Sequence, residues 1–370
     1  VNYKNPELEL IFLQPKKPRF NPLVIAIVLA AVLMVWSVLG GTGGSAGSSS
    51  MAYSTVVHYF ESNQVTKFSL DLNTGVITMT LKEGAQELPN ATDVFMVAYL
   101  HQDARDDESL QAATQKAVDI FYQISEQVKL NESQVGIAYN VDDLIYLKNA
   151  GKKAIFLAIE NGYAIGKDLN NLSMFKDMGI TYITLCHNGS NDICDSAKGE
   201  PEHDGLSPFG REVVKEMNRL GIIIDISHTS AKTVQDVLEL STAPIIASHS
   251  SARALCDHPR NLTDDQIKAI AAKGGVVQVC LYNWFLSKQP NPTILDAVAH
   301  INHIVRLVGI DHVGIGTDFD GDDTEKLTGC RAANEVINLT VELLRQGYTA
   351  EELHKLWGDN LLRVLNTVQN

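Results

Sequence analysis

Five residues of the types that hold metals or move protons stand at the ends of short apolar runs. Glu160 ends AIFLAIE, His187 follows ITYITLC, His228 ends GIIIDISH, His249 follows PIIAS and Asp318 ends HVGIGTD. Three neutral imidazoles and two carboxylates make the nitrogen–oxygen set that suits zinc, and a carboxylate can bridge two ions. One such histidine alone reads better as a satisfied structural residue, but five in register are not coincidence. Arg260 shares the stretch SHSSARALCDHPRNLTDD, residues 248–265, with His249. That loop sets an imidazole beside a planar guanidinium, the chemistry of a metal ligand next to a carboxylate clamp.

The elements that must position these residues form a strand–helix alternation from Asp93 onward. Strand-like runs cover Val94–Tyr99, Ala154–Ile159, Ile180–Cys186, Gly221–Ser227, Pro244–Ser248, Gly274–Leu281 and His312–Thr317. Helical patterns cover Glu108–Val128, Asp142–Asn149, Pro208–Leu220, Ala231–Leu240, Gln266–Ala272, Ile294–Val308 and Asn334–Gln346, with one or two more in Ala350–Val368. Repeated units of this size predict a parallel α/β sheet, doubly wound or closed into a (β/α)8 TIM-like barrel. Ligand-type residues on several strand ends favour the barrel, which builds its active site at that edge. Seven strands are legible, one short of a barrel.

The stretches LAIENGYAIG, TLCHNGSND, IDISHTS, SHSSARALCDHPRNLTDD and VGIGTDFDG give residues ~91–370 a specific resemblance. This part of the chain resembles the membrane (renal-type) dipeptidases, binuclear zinc peptidases of the amidohydrolase-like barrel class. The resemblance implies a dipeptide substrate and two zinc ions. Glu160 would bridge the ions, His228 and His249 would complete the second, and Asp318 would ligate the first while handling protons. His187 would polarise the scissile carbonyl or hold the oxyanion, and Arg260 would grip the substrate carboxylate. The chemistry is sound independently of the resemblance. Zinc lowers the pKa of bound water from about 15.7 to about 7, a developing oxyanion needs a preorganised positive partner, and the leaving amine needs a proton.

The family's first barrel strand ends in His-x-Asp, which supplies two ligands to the first zinc; no such strand precedes Asp93 here. The second zinc site is therefore the more secure. The one His-x-Asp present, His101-Gln102-Asp103, follows the run matching the family's second strand and reads as a solvated loop. His58 reads as surface, and His300 and His303 as core or surface of a helix remote from the strand ends. His203, Asp204 and His258 lie in loops over the site, within possible reach of substrate.

Residues 1–21 carry a basic cluster, and Pro22 to Leu39 is apolar apart from Ser37, the length a membrane-spanning helix needs. The basic flank predicts residues 1–21 in the cytoplasm and the barrel outside it; a signal peptide and a buried core helix are competing readings. Residues 40–50 form a Gly/Ser linker. Residues 51–88 read as a small α+β segment, a helix at Tyr53–Ser62 and then a hairpin of Val65–Leu72 and Val76–Lys82. Residues ~15–84 resemble the anchor region of FtsH-type membrane AAA proteases, without GxxxxGK[ST] or HExxH. The join near residues 85–92 reads as a natural fusion or an assembly artefact; in the latter case the barrel would be cytoplasmic. The chain begins at Val1 rather than Met and reads as a fragment.

A net charge of -14 excludes a general nucleic-acid partner. Five cysteines without a CxxC pair read as buried or free thiols. A homodimer is an open expectation. Three functional readings follow: a zinc dipeptidase impaired by the missing strand, another amide or lactone hydrolase of the same barrel class, or a catalytically dead barrel that binds dipeptide or zinc.

Overall fold

A computed structural model describes residues 65–70, 77–81, 94–99, 105–319 and 327–370. The apolar run 22–39, the helix read at 53–62, and His58, His101 and Asp103 lie outside them. Among the described residues no helix is long and apolar enough to cross a membrane. Two compact units divide at Asn90/Ala91.

In the first unit β1 (Val65–Leu70) pairs antiparallel with β2 (Ile77–Leu81), from Val65 opposite Leu81 to Leu70 opposite Ile77. The second unit carries eight parallel strands: β3 (Val94–Tyr99), β4 (Val135–Ile137), β5 (Lys153–Glu160), β6 (Ile180–Thr184), β7 (Ile223–Asp225), β8 (Ile246–Ala247), β9 (Val276–Cys280) and β10 (Val313–Gly316). Their spatial order runs β10-β9-β8-β7-β6-β5-β3, with β4 also paired to β5. From β5 to β10 neighbours in sequence are neighbours in space, the order a (β/α) barrel requires, whereas β3 pairs with β5 and not with β4. Among the described residues β3 and β10 share no ladder and stand at opposite edges.

Helices connect the strands: α1 (Asp107–Leu130), α2 (Val141–Asn149), α3 (Asn170–Asp177), α4 (Pro208–Leu220), α5 (Ala231–Leu240), α6 (Asp264–Ala272), α7 (Asn283–Leu286), α8 (Ile294–Val308), α9 (Val336–Arg345), α10 (Ala350–His354) and α11 (Asn360–Gln369). Local chemistry sets their limits. At α4 the Ser207 hydroxyl accepts from Gly210 N at 2.9 Å, Pro208 occupies the first turn, and Gly221 stops the helix at φ 68°. A left-handed stop of this kind suits a residue without Cβ. Thr263 and Gln266 form a capping box that starts α6 directly after the Arg260 loop, satisfying two donors that would otherwise lack partners.

Strands β5 to β9 are largely buried on both faces, so most of their residues are apolar. Along β5, Ile155, Leu157 and Ile159 join the main core against the connecting helices. Ala154, Phe156 and Ala158 join a second cluster with Leu361, Val364, Leu365 and Val368 of α11. Three elements exceed the sequence reading. The strand β4 is three residues long with a central glycine, α3 buries only Leu172 and Phe175 with Met174 half-buried beside them, and α7 is a single turn. None carries enough apolar periodicity to announce itself.

Candidate metal centre

Strand β5 delivers Glu160 at its last position, and the next residue, Asn161, turns the chain at φ 82°. His228 has φ 69° and Asp318 φ 55°. Left-handed backbone at non-glycine residues is uncommon and gathers at functional sites. Three strand ends bend in this way, and the side chains of Glu160, His228 and His249 meet at the sheet's C-terminal edge. His228 Nε2 lies 3.0 Å from Glu160 Oε1, His249 Nε2 lies 3.3 Å from the same oxygen, and the two imidazole nitrogens are 2.8 Å apart. All three side chains are largely buried.

What holds these rings is a network of polar residues between strands. Asp225, at the end of β7, accepts from Thr184 Oγ1 of β6 at 2.5 Å and from Ser248 Oγ at 2.6 Å. Its other oxygen accepts from the backbone of Ser227 and Ser248. Ser248 Oγ in turn lies 2.8 Å from His249 Nδ1. This relay fixes the far nitrogen of His249 and leaves Nε2 aimed at Glu160, the outer arrangement that metal-ligating histidines use. Asn191 ties β5 to β6: its Nδ2 donates to Asn161 Oδ1 and Leu185 O, while its Oδ1 accepts from Ile193 and Cys194.

Glu160, His228 and His249 form a group able to hold a metal ion, their ligand atoms all within 4.8 Å of one another. Two imidazole nitrogens and a carboxylate oxygen with a supported second layer fit a divalent ion of the borderline class. Electrostatics agrees with an anionic carboxylate between histidines. Burial works to raise the Glu160 carboxyl, but hydrogen bonds from His228 and His249 outweigh it and hold that group well below the usual range. Burial and the Arg260 charge hold His228 well below an ordinary imidazole. For His249 the lowering by burial is outweighed by Glu160 and Asp318, and the group is raised.

The other predicted site residues gather around this trio. The His187 ring lies 4.3 Å from that of His228, centroid to centroid, and burial pushes His187 down to about 4. Arg260 is buried, with Nη2 donating to His249 O at 3.4 Å and its guanidinium 5.2 Å from the centre of the Phe285 ring. Asp318 lies outside the three-ligand group; its Oδ2 is 3.7 Å from Cys280 Sγ, and burial raises its carboxyl. His203 is occupied elsewhere, bonded through Nε2 to Asn191 O at 2.8 Å. His258 Nδ1 accepts from the backbone of Arg260 at 3.1 Å. His300 is a core residue, bonded to Ala252 N and Leu286 O, and His303 pairs with Asp264. All five cysteines are free and buried. Asp225, Ser248, Asn191 and Phe285 escaped the sequence reading. The acidic residue inside GIIIDISH, where the neighbouring strand runs are apolar, was the available signal for Asp225.

The family model for membrane dipeptidases, peptidase family M19, matches residues 62–370. The chain belongs to the membrane dipeptidase family. The match includes the β1–β2 hairpin. Within the family the chain is 34% identical over 286 residues to dipeptidase tcpJ of Claviceps purpurea, covering 77% of this chain and 65% of the relative. It is 36% identical over 273 residues to an uncharacterized dipeptidase of Schizosaccharomyces pombe, covering 72% of this chain and 65% of the relative. The chain thus spans slightly less than two thirds of these relatives. Among solved structures, the probable dipeptidase PvdM from Pseudomonas aeruginosa superposes with a TM-score of 0.68 at 30% identity, over 71% of this chain and 81% of that one.

Proposed function

We propose that this chain is a zinc-dependent metallo-dipeptidase on a TIM-like barrel in which, among the described residues, no strand ending in His-x-Asp precedes β3. The observation that carries the reading is the convergence of Glu160, His228 and His249 at the C-terminal sheet edge of a membrane dipeptidase fold. Zinc held there supplies an acidified water and a Lewis acid for the peptide carbonyl. Glu160 stays ionised between the two histidines and holds their Nε2 atoms in place. Arg260, whose Nε has no hydrogen-bond partner among the described residues, presents a planar cation to the substrate's terminal carboxylate. His187 is neutral at working pH, because burial keeps it near 4, and donates an N–H to the charge growing on the carbonyl oxygen. Asp318 accepts a proton on its carboxylate and returns it to the leaving amine; its raised carboxyl suits that exchange. The apolar run 22–39 is proposed to anchor the barrel outside the cytoplasm.

The test is hydrolysis of simple dipeptides by zinc-loaded protein, with zinc content measured in parallel. Wild type is expected to retain zinc and cleave the peptides, and His249→Ala to lose both. Zinc-replete protein that cleaves a lactone but no dipeptide would replace this reading with the broader amide and lactone hydrolases.

A further inference from the structure

The segment Ser196–Lys198 is laced to the backbone of two site histidines. Ser196 Oγ donates to His187 O at 2.5 Å and lies 3.2 Å from His228 O, and Ala197 N donates to His228 O at 2.7 Å. Lys198 N donates back to Ser196 Oγ at 3.3 Å. The Lys198 side chain therefore starts from a fixed point at the rim of the site, and its ammonium charge bears on His187, Arg260 and His258.

The acids of the same loop are engaged elsewhere. Asp195 accepts from the backbone of Glu202, His203 and Gly205, and Glu202 pairs with Arg105. Lys198 is exposed and, among the described residues, forms no ion pair; partial desolvation together with the Arg260 charge holds its ammonium below the ordinary lysine value. Around His258, burial aside, the strongest influences are Lys198, Arg260, Arg253 and Lys288, all cationic. In a chain of net charge -14, a lysine tied beside the site and not engaged in an ion pair suits an anion beyond the one Arg260 takes.

We propose that Lys198 reads a second acidic group on the substrate, so that the site favours dipeptides whose C-terminal residue carries a side-chain carboxylate. The inference rests on the dipeptide reading above: Arg260 holds the terminal carboxylate, and the neighbouring ammonium takes the other.

The experiment compares Ala-Glu with its neutral isostere Ala-Gln on zinc-loaded wild type, Lys198→Gln and Lys198→Arg. Wild type is expected to favour Ala-Glu in kcat/KM by about fivefold, the upper worth of a partly exposed ion pair, and the preference should shrink in high salt. Lys198→Gln should bring the ratio close to one, and Lys198→Arg should restore it. A wild-type ratio of one overturns the proposal, as does a Lys198→Gln protein that loses both substrates equally, since Lys198 then serves the terminal carboxylate alone. If neither peptide is cleaved, the dipeptidase reading has failed. The same pair, now uncleaved, then gives dissociation constants by calorimetry, and their ratio decides the role of Lys198 on its own.

Discussion

At His249 the far ring nitrogen determines what the near one can do. Ser248 Oγ holds Nδ1, and Asp225 holds Ser248, so the proton on the ring and its orientation are set two residues away from any ligand. Ser248→Ala removes that link but leaves Asp225 three partners, Thr184 Oγ1 and the backbone of Ser227 and Ser248. The fold should survive at a cost of about 1 kcal/mol, while zinc affinity falls about tenfold; competition with a chromogenic chelator measures it. His258 supplies a second residue-scale prediction. Burial first, and then the surrounding cations, push it down to about 4, against about 6.5 in an unfolded chain. Between those values the unfolded state binds more protons, so stability falls as pH drops from about 6.5 to about 4 and levels off below. His187 adds to the same slope. His258→Gln should melt with a shallower pH dependence in this window than wild type.

Ser248, just past the end of β8, lies so close to the end of β10 that Gly316 has no room for a side chain. A Cβ there would lie 1.9 Å from the Ser248 carbonyl oxygen, an obstacle that no rotamer change relieves. Gly316→Ala should cost about 3 kcal/mol and lower Tm by roughly 10 °C, displacing at once the residues that carry His249 and Asp318; thermal melts check it. The same crowding explains what could be read beforehand. Strands β5, β6 and β9 were legible because burial on both faces makes them mostly apolar, with few polar interruptions. Strand β8 was legible as Pro244–Ser248 although only Ile246 and Ala247 keep ladder geometry. Strand β4 and helix α3 were not, because Val135–Ile137 pairs with β5 at a point no local pattern marks, and Asn170–Asp177 is polar but for Leu172, Met174 and Phe175. In the site, residues that end strands were legible from their position. Asp225, Ser248 and Asn191 act between strands, and their partners become apparent only once the sheet order is known.

For the whole molecule, strand count and metal count are the same question. The group Glu160–His228–His249 is complete on the described residues, with three protein donors leaving the open position that catalytic zinc requires. A neighbouring ion would have only the shared Glu160 and Asp318 among these residues, and Asp318 contacts Cys280 rather than the trio. The His-x-Asp pair that the resemblance assigns to this neighbouring ion, the first zinc of the family's pair, has no counterpart in the sequence before β3. Affinity falls steeply with each missing donor, since even outer-layer losses cost about 10–100-fold. Protein purified with zinc and dialysed should therefore keep about one equivalent, with a second binding only at high zinc, and activity should rise along that second, weaker isotherm. The tight ion should raise Tm, because a ligand bound to the folded state alone at 100 times its Kd adds about 2.7 kcal/mol. Chelator should lower Tm in one step rather than two. If two equivalents survive dialysis, another imidazole and carboxylate complete the second position. His101 and Asp103 are then the pair to replace, and their loss should release one ion and leave the other.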